Sequence, residues 1–259
     1  MTASAVQEMI DMTRKVCAAI VVASAVFAGA ASSAHAQVRG ADTAIVMPEQ
    51  ANVPMPPPVL SVSVTGASDY IFRGVSQTEN GPAIFAGAKI SYDHFYVAGG
   101  GENVDFRNDI DVEYDVSAGW ASSLAGFDVD VGAIRYGYIG APTGVSIDTI
   151  ELRGSVSRTF GAIKIGGAVN YAFEYFGSKR PGTYFEGNAG YSFTPKLTVS
   201  GAVGRQQIDA GNSYTTWNAG AGYAFNRHIA VGLRYTDTDT HDLGRLYRSH
   251  LVASAKLGF

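Results

Sequence analysis

The run Ile110-Asp111-Val112-Glu113-Tyr114-Asp115-Val116-Ser117-Ala118-Gly119-Trp120 decides the fold. Ile110, Val112, Tyr114, Val116 and Trp120 alternate with Asp111, Glu113, Asp115 and Ser117. Successive side chains of an extended strand point to opposite faces, so this spacing makes one apolar face and one acidic face. On a helix the same acids would scatter around the whole surface. The pattern recurs downstream. Ile163, Ile165, Val169, Tyr171 and Phe173 oppose Lys164, Asn170 and Glu174, while Leu197, Val199 and Val203 oppose Thr198, Ser200 and Gln206.

Extending the pattern predicts twelve strands, near residues 60–70, 83–92, 94–103, 110–121, 126–138, 147–160, 162–175, 183–194, 196–208, 214–226, 228–239 and 247–259. Connections after the even-numbered segments are tight, at Asp93, Ser122–Ala125, Gly161, Pro195 and Arg227. Those after the odd ones are longer and rich in Gly, Asn and Asp, as in Gly177–Gly182 and Asp209–Ser213. Short periplasmic turns and longer outer loops mark transmembrane barrels. Phe127, Phe160, Phe193, Phe225 and Phe259 recur about once per hairpin and are expected, with Trp120, at the short-turn end. Tyr138, Tyr175, Tyr184, Tyr214, Trp217, Tyr235 and Tyr247 are expected at the long-loop end, completing two aromatic belts. The fold class predicted is all-β: a transmembrane antiparallel up-and-down β-barrel of twelve strands over residues 59–259, in the outer membrane of a Gram-negative bacterium.

The composition agrees. Only 16% of residues are charged and 31 are glycine, as expected where lipid-facing and lumen-facing residues alternate. Val16–Ala31 is apolar, follows Arg14-Lys15 and ends in Ala34-His35-Ala36, so residues 1–36 read as a cleaved signal peptide, with Met12 a candidate true start. Pro48, Pro54, Pro56, Pro57 and Pro58 crowd residues 37–58, a periplasmic leader. The one cysteine, Cys17, lies in the signal, leaving no disulfide or thiolate site downstream. A net charge of −4 argues against a nucleic-acid partner.

Charge facing mid-bilayer lipid is costly, so charged residues of the strands are expected inside, lining a pore. These are Asp111, Glu113 and Asp115 on the fourth strand and Asp128 and Asp130 on the fifth. Glu151 and Arg153 follow on the sixth, and Lys164 and Glu174 on the seventh. An acidic strip beside a basic one would favour cations weakly; a mutually satisfied polar interior is the alternative. If Val129 and Val131 face lipid, Arg135 does too, unless a bulge re-aims it or it snorkels to the interface.

No catalytic residues are assigned. Ser249 and His250 are neighbours on a strand and face opposite sides, a poor dyad. No cofactor is expected, and Asp237-Thr238-Asp239-Thr240-His241-Asp242 lacks the spacing of a metal site. The terminal Phe259, with Leu257 two residues before it, is similar to the signal read by the barrel-assembly machinery. That machinery, outer-membrane lipid and lipopolysaccharide are the expected partners of a monomeric barrel.

The stretch Ser68-Asp69-Tyr70-Ile71-Phe72-Arg73-Gly74-Val75-Ser76-Gln77-Thr78 resembles the N-terminal hallmark of the TorF-like porin family of proteobacterial outer membranes. Asn103-Val104-Asp105-Phe106 and the acidic strand Asp109–Gly119 are similar to further family elements. The leader and the run Gly99-Gly100-Gly101 depart from the usual pattern. The resemblance implies an outer-membrane channel and leaves its substrate undefined; with the charged lumen, the expected function is passive diffusion of small hydrophilic solutes or ions. Asp69, Tyr70, Phe72, Arg73, Gly74, Ser76 and Gln77 are the motif residues. Two roles stay open for them: a constriction that selects solutes, through Arg73, Gln77 and Asp69, or a staple holding the first loop to the wall.

Overall fold

The computed structural model describes residues 57–106, 110–142, 147–209 and 211–259. The signal peptide, the candidate start at Met12 and nearly all of the leader lie outside them. The ladder begins with β1 (Val59–Ala67), after which β2 (Ile71–Phe72) and β3 (Val75–Ser76) form a small hairpin of their own. The wall continues through β4 (Ala83–Tyr92), β5 (Phe95–Phe106), β6 (Ile110–Leu124), β7 (Phe127–Ile139), β8 (Thr149–Phe160) and β9 (Ile163–Ala172). It is completed by β10 (Gly182–Ser192), β11 (Leu197–Ile208), β12 (Tyr214–Ala224), β13 (Ile229–Thr238) and β14 (His250–Gly258). Among the described residues twelve strands, all but β2 and β3, pair antiparallel in chain order and close as a barrel where β1 meets β14.

The alternation read from sequence now has two sides. On β1, Leu60, Val62 and Val64 are exposed whereas Ser61, Ser63 and Thr65 turn inward. An apolar exterior around a polar interior, with no free sheet edge, is the only way strands cross lipid. Among the described residues no helix is long and apolar enough to cross a membrane. This is a barrel of the bacterial outer membrane.

The tight turns use backbone that suits them. Ala125 and Gly126 both have positive φ, at 51° and 80°, the pairing that matches strand twist in a two-residue hairpin. At the closing seam, the Val62 amide donates to the Phe259 carbonyl (2.9 Å) and the Phe259 amide to the Val62 carbonyl (2.8 Å). Deleting Phe259 removes both bonds and should cost about 2 kcal/mol, at about 1 kcal/mol for each. Denaturant unfolding of the refolded barrel would measure it; an unchanged midpoint would show that the seam does not depend on this residue.

The short-turn belt is present: Phe127, Phe160, Phe193, Phe225 and Phe259 are all exposed. Arg158 lies over the rings of Phe127 (4.8 Å) and Phe160 (5.2 Å) at that rim. The long-loop belt differs from expectation. Trp217 and Tyr235 face outward, but Tyr175, Tyr184, Tyr214 and Tyr247 are at most 2% exposed and Tyr138 packs against the buried cluster. Tyr184 and Tyr214 share strand parity with inward residues such as Glu186 and Thr216, so they turn away from lipid and fill the lumen.

Arg135 shows how a charge survives on the outer face. It pairs in register with the exposed Ile150, and its guanidinium reaches the Asp148 carboxylate, 2.6 Å away just before β8. The stem lies along the wall while the head group stays at the interface.

Candidate functional site: the occluded outer lumen

The loop after β1 folds into the barrel. Within it, Asp69 Oδ1 accepts from the Ser76 hydroxyl (2.7 Å) and the Thr78 hydroxyl (3.0 Å), and the Gln77 amide donates to the Tyr70 carbonyl (2.8 Å). The hairpin therefore holds its own shape. Its tip needs glycine: Gly74 has φ 90°, and a Cβ there would come within 2.3 Å of Thr216 Oγ1. The preceding residue, Arg73, also takes left-handed backbone (φ 44°).

That turn sends the Arg73 side chain into the wall. Nη2 donates to Glu151 Oε2 on β8 (2.7 Å), and Nη1 to Gln206 Oε1 on β11 (2.7 Å). The guanidinium also stands 4.5 Å from the Tyr184 ring centre and 4.8 Å from that of Phe72. Arg73 and Glu151 are 1% and 0% exposed. Burial makes such a pair costly unless both charges are well bonded; the two charges meet each other, while Arg73 Nε and Glu151 Oε1 are buried without a hydrogen-bond partner.

Contacts continue around the ring. Phe72 packs edge-on to Tyr136 and Phe176, and Tyr70 edge-on to Phe85 of β4. The Tyr70 hydroxyl donates to Glu113 on β6 (3.3 Å), and the Asp105 amide of β5 to the Gln77 carbonyl (2.8 Å). Asp69 Oδ2 lies 3.2 Å from His250 Nδ1 on β14, and Glu79 forms an ion pair with Arg245 at the rim. Burial raises the phenols of Tyr175 and Tyr247, in the outer connections, above their ordinary range, so both stay neutral. The hairpin thus meets β4, β5, β6, β7, β8, β11 and β14, and the outer half of the lumen is filled.

The inner half is different. Small side chains such as Ser61, Ser63, Gly87 and Ser91 line it. Lys164 and Asp128 pair at the inner mouth (3.4 Å). Higher up, Lys89 lies over the Tyr96 ring (4.6 Å), whose hydroxyl donates to Asp130 (3.0 Å). Arg234, six strands around the ring from Asp130's strand, donates to Asn218 and Ser200.

Of the residues predicted to line a pore, Asp115, Asp128, Asp130, Arg153 and Lys164 lie on the inward side of their strands, and Glu113 and Glu151 are buried against the hairpin. Two differ. A register shift between Asn103 and Phe106 leaves Asp111 and Val112 both exposed beside buried Ile110, so the alternation breaks there and Asp111 sits at the exposed outer end of β6 rather than in the filled lumen. β9 ends at Ala172, and Glu174 lies beyond it, exposed, with its carbonyl accepting from the Thr149 hydroxyl. Every motif residue with a side chain, from Asp69 to Gln77, is in the hairpin's buried contacts. Sequence reasoning missed Lys89 and Lys256, although each alternates with apolar neighbours. It also missed Glu102, cross-strand partner of Glu113, because the preceding glycines carry no alternation, and Arg234, Glu186 and Asp237.

A family model described as a bacterial protein of unknown function, Gcw_chp, matches residues 51–254. The chain belongs to the Gcw_chp family. No curated protein matches it. Among solved structures, this Gcw_chp barrel is similar to the KdgM porin in complex with disordered oligogalacturonate, at TM-score 0.57 and 9% identity, covering 77% of this chain and 99% of that one. The NanC porin matches at TM-score 0.50 and 12% identity, over 77% and 98% of the two chains. The shared fold is that of twelve strands closed around a lumen.

Proposed function

We propose that this protein is a porin-like channel through which small hydrophilic solutes or ions pass by diffusion, with a weak preference for cations. The observation that carries this reading is the inner lumen of a closed barrel, lined by small polar side chains such as Ser61, Ser63 and Ser91 together with charged ones, the acids lying mainly on β5, β6 and β7. Carboxylates on one wall favour cations there, and Lys89, Arg234 and Lys256 offset them, which is why the preference is weak. The Asp69–Thr78 motif supports placing the chain with the TorF-like porins. No serine hydroxyl is bonded to a histidine at the hairpin, where Ser76 donates to Asp69 instead, so a hydrolase is not the reading we adopt. Lipopolysaccharide and lipid outside, and the assembly machinery during insertion, are the partners proposed for a monomer.

Reversal potential under a salt gradient in a planar bilayer tests the selectivity. The wild type should reverse slightly to the cation side, and combined Glu102→Gln, Asp115→Asn and Asp130→Asn should move it toward the anion side. An unmoved potential would remove these acids as the selector. The filled outer lumen favours a second reading, a plugged barrel with a structural or surface-recognition role, which predicts no conductance at all.

A further inference from the structure

We propose that the Tyr70–Gln77 hairpin is a movable gate, latched shut by Arg73 on Glu151 and Gln206, and that solutes pass when it leaves the lumen. This rests on the channel reading and adds to it where and how the channel is closed.

Four observations carry the proposal. The hairpin and the wall residues it meets are almost wholly buried, Tyr70, Phe72, Arg73, Val75, Ser76 and Gln77 being 0–2% exposed, so no water-filled path runs beside it. The wall does not need it: β2 and β3 pair with each other, while the other twelve strands close their ladder without them. The hairpin is shaped from within, through Asp69, Ser76, Thr78 and the Gln77–Tyr70 backbone bond, so it can move as one body. Its polar attachments to the wall are ones that water can replace: Arg73 to Glu151 and Gln206, Tyr70 to Glu113, Asp69 to His250, and Glu79 to Arg245. The Asp105–Gln77 backbone bond and the packing of Phe72 on Tyr136 and Phe176 and of Tyr70 on Phe85 must also be given up, which keeps the open state rare. At its far stem Glu79 and Asn80 take left-handed backbone, with φ 53° and 66°, and Gly81 follows. A change of torsion there swings the hairpin without touching the ladder. Elements that move are drawn from those with few ladder bonds to the rest of the fold.

The latch is the Arg73–Glu151 pair. Glu151→Gln keeps the size of the side chain and an acceptor for Arg73, but leaves the buried guanidinium without its counter-charge. The open state, in which Arg73 is hydrated, gains relative to the closed one.

The test is conductance of three chains extracted from bacterial outer membranes in folded form: the wild type, Glu151→Gln, and a chain in which Tyr70–Gln77 is replaced by Gly-Gly. The replacement is short because the Tyr70 carbonyl and the Gln77 amide are already 2.8 Å apart. Heat-modifiable gel migration checks that each barrel is folded. The wild type should be mostly closed with rare openings. The shortened chain should stay open, with time-averaged conductance at least about tenfold higher. Glu151→Gln should open more often, with single-channel steps like those of the shortened chain. Equal conductance of the wild type and the shortened chain would show that the hairpin is not the barrier. An open shortened chain beside a Glu151→Gln chain that behaves as wild type would make the hairpin a fixed plug and overturn the latch. A folded shortened chain that never conducts would overturn the channel reading itself. Should Glu151→Gln fail to fold, Gln206→Ala tests the other arm of the latch by the same readout. A second measurement uses Val75→Cys in a Cys17→Ser background with a membrane-impermeant maleimide. Labelling that rises several-fold on adding Gln206→Ala supports the gate, and labelling that stays absent in both overturns it.

Discussion

Truncating Arg73 to Ala is expected to destabilise the closed barrel by about 3–5 kcal/mol, the loss typical when one member of a buried ion pair is removed. Glu151 would be left as a carboxylate at 0% exposure among Phe72, Tyr136 and Tyr184, with its other oxygen already lacking a bonded partner. Replacing both members, as Arg73→Met with Glu151→Leu, should recover most of the loss, because the expense lies in an unmatched charge rather than in a missing attraction. Equilibrium unfolding of the wild type, Arg73→Met, Glu151→Leu and the double variant, refolded in lipid, would show this as a large coupling energy. Additive losses would mean that the hairpin had already withdrawn in the single variants and exposed the carboxylate to water. Protease cleavage between Asp69 and Thr78 would report that withdrawal directly.

The wall was legible in sequence, and the reason is physical. Lipid outside and water inside impose opposite demands on neighbouring residues, so strands such as Ile110–Leu124 carry the fold in a local period of two. The hairpin was legible only as a motif. Arg73 beside Gly74 signalled a charge at a tight turn, but its partners Glu151 and Gln206 lie 78 and 133 residues away, and no local pattern points to them. The inward tyrosines show the limit best. Tyr175, Tyr184 and Tyr214 stand at the height of an interface girdle, and their residue type suits one; only the presence of a cation and an aromatic hairpin inside the barrel explains why they turn away from lipid. Asp111 differs for a related reason, since a register shift at the outer end of β6 interrupts the alternation that assigned it.

A charge placed mid-depth on the exterior is expected to be the most damaging single change to the wall. Leu233 is 51% exposed near the middle of β13, between the outward Ala221 and Ala253 of its neighbours. Leu233→Arg should cost about 2–4 kcal/mol, the penalty for an arginine at the bilayer midplane of a barrel. Arg135 is the internal contrast, tolerated because it sits near a rim with Asp148 beside it. Unfolding in lipid vesicles would measure the loss, and an equal stability of Leu233→Arg and wild type would mean that Leu233 is covered by protein rather than by lipid.

Two of the outward arginines also act as a depth gauge. Arg158, with Phe127 and Phe160, marks the inner rim, and Arg135 with Asp148 marks the outer one. From Phe127 to Arg135 the strand β7 advances eight residues, which at about 3.4 Å each and a tilt near 40° spans roughly 20 Å along the bilayer normal. That is shorter than the apolar band of the wall, which on β7 runs on to the exposed Ile139, four residues beyond Arg135. The guanidinium therefore makes up the difference by its own reach, and Asp148 meets it at the water's edge, so the length of one side chain lets the strand carry a charge below the surface.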